Sequence, residues 1–459
     1  MNRDTGPGHR GLLSRRLLLG GAAAVAAGAT LASRAEMVAV RQDVATATRS
    51  PHRLALLDAT IGEMQRRSER DPHDPKGWRA HALDHDAVCA AVSNADDTQV
   101  HGCWWFLPWH RAFLAVTEWK LRAISGDPEL ALPYWNWSSD RSIPEAFSRE
   151  GSALARAVRY TPDRPLMPVE VDHLVHDVAL ARLGVAGLGA STFQAHTREE
   201  IPVCFGGIAK PNAGQWHGRS RLETVPHNAI HSYIGGEAPD GALGDMTELS
   251  TAALDPLFYA HHGNLDRLWE IWRADPMRKA TEPHDDAFLQ HRFPFLWLDG
   301  TIVTVSVADT LDTRRLGYVY DSLNVFRDGV PPADARAAPT EPRQPLAGET
   351  LRVPPGAGNR MLRITGVRQS DRPMSVEIAV SKPGDPASAI SVGAFACGRK
   401  HGSPAVSPDT EPCFDVSAAV RLLGTPTVSV TVLPLSLGPG PRQPPPFTYA
   451  GMMIVAAPG

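Results

Sequence analysis

Residues 255–269, DPLFYAHHGNLDRLW, place two adjacent histidines at the start of a helical apolar pattern. Leu265 and Leu268 recur at the step of a helix that is buried along one face. We therefore predict a helix that begins near His262. Asp266 follows His262 by one helical turn, where its carboxylate could accept a hydrogen bond that orients a metal-binding histidine.

A pair of histidines lies upstream, in the sequence LETVPHNAIHSYIGG at residues 222–236. His227 and His231 are four residues apart, so on a helix both rings project from one face and can bind one ion together. His262 completes a set of three imidazoles. His261 adjoins His262, and we expect it to pack or hydrogen-bond rather than bind metal.

The first half of the chain holds a comparable group, His85, His101 and His110, with Cys89 four residues after His85. His81 lies four residues before His85 and is an alternative ligand that the sequence leaves open. Ligation by imidazoles alone suits copper and leaves positions free for a reacting molecule. Two such sites that face each other would bind oxygen between them.

Length and composition limit the classes of protein to be considered. The chain has 459 residues, which is enough for two or three domains. Its formal net charge of -4 and its 21% of charged residues give no sign of a nucleic-acid or membrane partner. We expect small-molecule partners.

The N-terminus has the form of an export signal. Ser14, Arg15 and Arg16 precede an apolar run at residues 17–32, which is shorter than the roughly 20 residues that span a bilayer. We predict a twin-arginine signal over residues 1–35, export machinery as a partner, and a secreted or periplasmic protein.

The remaining chain divides into an α-rich and a β-rich part. We predict a mainly α catalytic domain at 36–328, with β additions around a four-helix bundle core. Seven prolines at 329–355 indicate a linker. Five alternating runs then predict a small all-β domain at 356–459, a sandwich or barrel: Met361 to Ile364, Ser375 to Val380, Ile390 to Ala394, Thr427 to Leu433 and Tyr449 to Val455.

Several motifs together resemble the tyrosinase and catechol oxidase family, specifically its plant-type polyphenol oxidases, here in an exported bacterial form. They are WWFLPWHRAFL (104–114), ALPYWNW (131–137), the two histidine motifs at 222–236 and 255–269, and LDTRRLGYVY (311–320). The resemblance implies two copper ions and molecular oxygen as co-substrate. It assigns the first copper to His85, His101 and His110, and the second to His227, His231 and His262.

The resemblance also implies a thioether crosslink between Cys89 and His101. Four further cysteines then remain, and they could pair as Cys103 with Cys204 and Cys397 with Cys413, although sequence does not establish the connectivity.

Three further residues match family positions near the metals. Glu223 and Asn228 correspond to residues proposed to hold a water that deprotonates a monophenol. The alternative is that Glu223 only caps or braces the helix bearing His227. Leu249, thirteen residues before His262, occupies the position of a bulky gate in many plant-type members.

These features predict a polyphenol oxidase that converts o-diphenols, and with them monophenols if the water-holding role applies, to o-quinones. An o-aminophenol oxidase is the alternative, and an oxygen carrier or a zinc-dependent hydrolase are more distant ones. The resemblance further implies that the C-terminal domain shields the copper entrance until a protease cuts the linker. The alternative is that this domain only serves stability or secretion.

Overall fold

The computed structural model describes most of the chain after its first 37 residues. The described residues are 38–48, 51–89, 100–166, 170, 188, 190–196, 204–209, 220–327, 329, 343–356, 359–368, 374–397, 411–435, 437–438 and 443–456. The predicted signal at residues 1–35 lies outside them, as do the side chains of Cys89 and Cys397. Among the described helices, none combines the length and the apolar character needed to cross a membrane.

The N-terminal part is built from helices joined by short sheets. Its helices are α1 Val44–Ala47, α2 Pro51–Arg70, α3 Trp78–Cys89, α4 Phe106–Ser125, α5 Asn228–Gly235, α6 Leu257–Arg273, α7 Pro276–Lys279, α8 Asp286–Leu289 and α9 Val307–Thr310. A π-helical turn, Glu223–His227, runs directly into α5. Single 3-10 turns occur at Glu145–Phe147, Ala153–Ala155 and Ala252–Leu254.

Among its described residues, the helical part also contains three two-stranded sheets. Their strands are β1 Ala39–Arg41 with β6 Tyr318–Tyr320, β2 Gln194–Ala195 with β3 Gly207–Ile208, and β4 Arg292–Leu296 with β5 Ile302–Ser306. The β1 and β6 strands pair in parallel, with Val40 opposite Val319. One hydrophobic core runs through this part, because the apolar faces of α2, α3, α4 and α6 pack on each other and on β4.

The C-terminal part is β-rich, as predicted. Its strands are β7 Ala347–Arg352, β8 Arg360–Thr365, β9 Met374–Lys382, β10 Asp385–Cys397, β11 Cys413–Asp415, β12 Thr427–Leu435 and β13 Gly451–Ala456, and its helix is α10 Ser417–Leu423. The strand order is β10-β9-β12-β7 in one sheet and β11-β8-β13 in the other. Side chains from both sheets share a second hydrophobic core.

Two sequence-based expectations need correction. The predicted linker at 329–355 includes Ala347–Arg352, which pairs with β12 along its whole length as strand β7. The sequence pattern did not indicate this strand, because prolines cluster on both sides of it. The helix predicted to begin near His262 begins at Leu257, so His262 lies in its second turn. The domain boundaries at 36–328 and 356–459 remain predictions.

Candidate metal centre

The first predicted ligand group is gathered in one place. The ring nitrogens of His85, His101 and His110 lie within 4.8 Å of one another. His85 comes from α3, His110 from the second turn of α4, and His101 from the turn that leads into α4. The rings of His101 and His110 meet edge to face with centroids 5.1 Å apart. These three residues can therefore converge on one ion.

The second predicted group lies beside the first. His227 ends the π-helical turn, and its ring centroid is 4.5 Å from that of His231 and 5.0 Å from that of His262. His110 of the first group stacks on His262 at 4.2 Å with an interplanar angle of 8°. The two groups are thus in direct contact through His110 and His262. Their rings together form one wall of imidazoles.

The structure also brings His261 into this wall. Nitrogens of His231, His261 and His262 lie within 4.8 Å of one another, and so do those of His110, His227 and His262. Because His261 is completely buried beside His227, with ring centroids 5.8 Å apart, geometry alone leaves it as a competitor for the second ion. The choice of His262 over His261 remains a prediction.

Hydrogen bonds set which nitrogen of three rings faces inward. The Nδ1 atoms of His110, His231 and His227 lie 2.7 Å from Phe106 O, 2.9 Å from Met246 O and 2.8 Å from Asn228 Oδ1. A carbonyl oxygen only accepts, so each Nδ1 carries the proton and each Nε2 keeps a lone pair. This is the orientation that a metal ligand requires.

Burial favours the neutral form of four imidazoles of the centre, those of His110, His227, His231 and His262. Burial lowers the pKa of His110 to about 3, against a smaller opposing effect of its bond to Phe106. Burial likewise lowers the pKa of His231 to about 4, and holds the pKa values of His227 and His262 well below the ordinary range. At neutral pH these rings therefore offer lone pairs and add no positive charge that would repel a metal ion.

The chemistry of the donor set fits a copper pair. Among the described residues, no hydrogen bond satisfies the buried Nε2 atoms of His110 and His227. The Nε2 atoms of His231 and His262 are 3.1 Å apart. Two nitrogens that each lie about 2 Å from one first-row ion are separated by about this distance. Imidazole nitrogens without thiolate or carboxylate are ligands that copper accepts well.

Asp266 has a different role from the one expected. Its carboxylate accepts hydrogen bonds from Arg111, Arg41, Tyr318 and Tyr320, and none of these partners is a histidine. The reason is geometric, since Asp266 projects toward β1 and β6 while His262 projects toward the other imidazoles. Asp266 therefore ties α6 to α4, β1 and β6, and it affects His262 only through the helix.

Glu223 and Asn228 lie where they can act on the centre. Both carboxylate oxygens of Glu223 accept from the backbone N–H of Gly102, at 2.9 and 3.0 Å, and so connect the His101 turn to the His227 turn. Asn228 accepts from His227 Nδ1. These bonds fit the bracing alternative, and the water-holding role remains a prediction.

Two contacts of the centre gave no signal in the sequence. Phe258 packs between the ligand groups, 4.9 Å from the ring of His85 and 4.1 Å from that of His262. Met246, whose carbonyl orients His231, belongs to a loop that the apolar pattern does not mark. Leu249 is half-buried three residues further on, and its gating role stays a prediction.

The cysteine predictions are only partly within reach of the described residues. Cys103 is buried in the first core, and its Sγ lies 3.4 Å from Val100 O, while Cys204 packs with Ala195. The pairing of these two, the Cys397–Cys413 pairing and the Cys89–His101 crosslink all remain predictions.

Comparison with known proteins places this centre in a class of binuclear copper proteins. Residues 71–275 match the common central domain of tyrosinase, and residues 282–328 match the polyphenol oxidase middle domain. The two matches together take in more than half of the chain and contain all six predicted ligands. Residues 71–275 and 282–328 therefore belong to the tyrosinase and plant polyphenol oxidase family of type-3 copper proteins.

Curated relatives agree with this assignment. The chain is 32% identical over 262 residues to polyphenol oxidase E, chloroplastic, from Solanum lycopersicum, with 56% of this chain and 44% of that protein covered. It is 31% identical over 265 residues to aureusidin synthase from Antirrhinum majus, with 55% and 47% covered. The match thus spans less than half the length of these relatives.

Solved structures share the fold over both parts of the chain. A latent apple tyrosinase superposes with a TM-score of 0.64 at 21% identity and covers 92% of this chain and 98% of its own. A functional unit of octopus hemocyanin gives a TM-score of 0.53 at 19% identity, with 92% and 100% covered. The α-helical core followed by a β-rich C-terminal region is therefore the fold of both proteins.

Proposed function

We propose that this protein oxidises phenols, chiefly o-diphenols, to o-quinones with molecular oxygen. The observation that carries the proposal is the wall of neutral imidazoles, in which His110, His227 and His231 donate their Nδ1 protons away from the centre. The first copper would be held by His85, His101 and His110, and the second by His227, His231 and His262. The relatives named polyphenol oxidase support the same activity.

The chain's own residues prepare the site for this chemistry. The copper pair, when bound, supplies oxygen binding and electron transfer. Each o-diphenol gives up two electrons and two protons, so two diphenols reduce one oxygen molecule to two waters. Phe258 keeps the space between the ligand groups apolar, and the helices that carry the histidines hold the rings in place. For monophenols, Glu223 and Asn228 would hold the water that removes the phenolic proton.

We also propose that the C-terminal region keeps the enzyme latent. Strand β10 packs against the π-helical turn and α5, which carry His227 and His231. The carbonyl of Leu437 accepts a hydrogen bond of 2.8 Å from the backbone N–H of Glu237, just past the end of α5. An activating protease that cuts between the two parts would be the partner that releases this contact.

The proposed activity is tested by oxygen uptake with the copper-loaded full chain, before and after limited proteolysis. Catechol, the matching monophenol and an o-aminophenol are supplied in parallel. Uptake with catechol supports the proposal, uptake with the monophenol adds tyrosinase activity, and a preference for the aminophenol favours the o-aminophenol oxidase. The variant His110→Ala, which removes a ligand of the first copper, is the control and should be inactive with all three.

An oxygen carrier is the second candidate, because the hemocyanin unit shares this fold. A carrier would bind oxygen reversibly and stay silent with all three substrates after proteolysis. A zinc hydrolase would contain zinc rather than two coppers after purification, so metal analysis of the same sample separates that class.

We further propose that residues 1–35 direct export through a twin-arginine route. Support comes from Arg15 and Arg16 ahead of the apolar run at 17–32, whereas the curated relatives are chloroplastic plant proteins. Fusion of residues 1–35 to a reporter tests the proposal in a bacterial host. Secretion that is lost when both arginines are changed to lysine is expected, and secretion that survives this change contradicts the twin-arginine route.

A further inference from the structure

A buried polar cluster lies one helical turn from His85. Its members are His81 on α3 and Thr117 and Lys120 on α4, all fully buried, with Asp84 on α3 at the edge. None of these four residues is a proposed copper ligand, and the proposed phenol oxidation assigns them no task. Buried ionisable groups without a catalytic task are costly unless they are paired, so their presence calls for a physical role.

The cluster has one consistent pattern of donors and acceptors. Lys120 Nζ lies 2.9 Å from His81 Nδ1, and an ammonium group can only donate, so Nδ1 accepts. His81 Nε2 then carries the proton and donates to Thr117 Oγ1 at 2.8 Å. Thr117 in turn donates to Phe113 O at 2.7 Å. Each polar atom in this series of hydrogen bonds has a partner. The His81 ring is therefore held in one tautomer and one orientation.

Asp84 extends the cluster to a third element. Its Oδ2 atom lies 3.7 Å from Lys120 Nζ, and its Oδ1 atom accepts from the backbone N–H of Leu296 at 3.2 Å. Leu296 ends β4, whose Phe295 stacks on Phe113 with centroids 6.1 Å apart. The polar cluster therefore connects α3 to α4 and to β4.

The same cluster is in ring contact with the first metal site. His81 stacks on Phe113 with centroids 4.7 Å apart and an interplanar angle of 26°. Phe113 also stacks on His85 at 6.4 Å with an angle of 26°. A rotation of α3 by about 20° would move a ring nitrogen near the helix surface by about 2 Å, as far as a metal–nitrogen bond is long. An interaction that fixes this rotation therefore also fixes the position of the His85 ring.

We propose that Lys120, His81 and Thr117 are positioning residues for the first copper site, which lock the rotation of α3 against α4 and so aim His85. The proposal rests on the copper ligation proposed above. Apolar packing alone would hold the two helices together, but it permits small rotations, whereas the directional bonds of the cluster do not. Its effect should fall mainly on the first site, because the hydrogen bonds and the ion pair of the cluster join α3, α4 and β4. The cluster touches α6, which carries His262, through a ring contact of His81 with Tyr259 at 5.8 Å, and such a contact is less directional than a hydrogen bond.

The test uses the copper-loaded full chain and two variants. Thr117→Val keeps the shape of the side chain and removes the hydroxyl group, and Lys120→Met removes the cation. Copper per chain is measured while a chelator is titrated. The matched control is Arg343→Met, which breaks the partly buried ion pair with Glu377 on β9, in the β-rich part of the chain. Thermal melting reports the general loss of stability in all three variants.

Two coppers per chain are expected for the unchanged protein, and their absence would defeat the proposed copper ligation itself. Given two coppers, each α4 variant should release one of them at a chelator concentration about 10–100 times lower, while the other stays. Arg343→Met should lower the melting temperature and change neither release step. If Lys120→Met does not fold, Thr117→Val decides alone. Unchanged release, or equal weakening of both coppers, overturns the positioning role.

Discussion

Glu223 is the residue whose role is least determined by its position. Its carboxylate accepts from Gly102 N with both oxygens, which is what a brace between the His101 and His227 turns would do. A carboxylate so placed can also hold a water close to Asn228, because each oxygen has a second lone pair. The two roles differ in whether they require the negative charge of the carboxylate: activation of a water requires it, and bracing of the two turns does not.

The variant Glu223→Gln separates these roles. Its amide oxygen can still accept from Gly102, but it has no charge with which to polarise the water that removes the phenolic proton. We expect monophenol oxidation to fall by at least about tenfold relative to catechol oxidation, because general-base assistance is lost. Oxygen uptake with both substrates measures the ratio. An equal fall with both substrates would show that Glu223 only braces the two turns.

Among the helices, α6 is held in place by ion pairs, and the end of α5 is held by the close packing of a glycine. Arg111 and Arg41 bring α4 and β1 to the Asp266 carboxylate of α6. Gly236 ends α5 with φ 64° and ψ -163°, a conformation open almost only to glycine. A Cβ there would lie 2.0 Å from Tyr160 O and 2.6 Å from Leu437 O. Both helices thus hold their histidines through contacts at sites remote from the rings.

We expect Asp266→Asn to destabilise the protein by about 3 kcal/mol at pH 7, because two buried guanidinium groups each lose one of their two anions. Among the described residues, Arg41 keeps only Glu118, and Arg111 keeps only Glu270. Burial raises the pKa of Asp266, but Arg111 and Arg41 outweigh it and the net pKa is below 3.8. The stabilisation is therefore present above pH 4 and is lost as the pH falls through the folded-state pKa. Urea unfolding of both proteins between pH 7 and 3 checks this, and a difference that does not change with pH would contradict it.

Gly236→Ala should cost about 3 kcal/mol or more, since backbone strain and two contacts with carbonyl oxygens add. The control is Gly126→Ala, which follows α4 at φ 76° with nothing within 4 Å of the added Cβ and should cost about 1 kcal/mol. Thermal and urea unfolding give both values. Equal losses in the two variants would mean that the close approach of Tyr160 and Leu437 contributes nothing.

At the scale of the whole molecule, the helical and the β-rich parts have separate hydrophobic cores but meet at α5. The meeting includes the hydrogen bond from Glu237 N to Leu437 O and the packing of β10 on the π-helical turn. The segment that carries His227 and His231 is therefore also the segment that the C-terminal region contacts. Release of that region can change access to the copper pair without a change in the ligands.

Cleavage within residues 329–346, ahead of β7, should raise catechol oxidation, because it frees the C-terminal region from the helical part. A protease site inserted there gives a defined cut, and oxygen uptake is followed before and after separation of the fragments. The same site inserted after Gly384, in the tight turn between β9 and β10, is the control, because that cut leaves the β7 connection intact. Unchanged turnover after complete release of the C-terminal fragment would contradict latency.

The sequence by itself determined the α-helical core and the five strands at the predicted runs, because residue spacing and motif order carry this information locally. It also predicted the histidines that the fold gathers into one centre. Their division into two ligand sets, with His262 rather than His261, remains a prediction. It missed β7, the true start of α6 and the partners of Asp266. Those depend on which residues from distant segments meet. Only the tertiary structure decided that Asp266 faces Arg41 and Arg111, that Met246 O orients His231, and that Lys120 reaches His81, because a hydrogen bond between segments far apart in the chain leaves no periodic trace in the sequence.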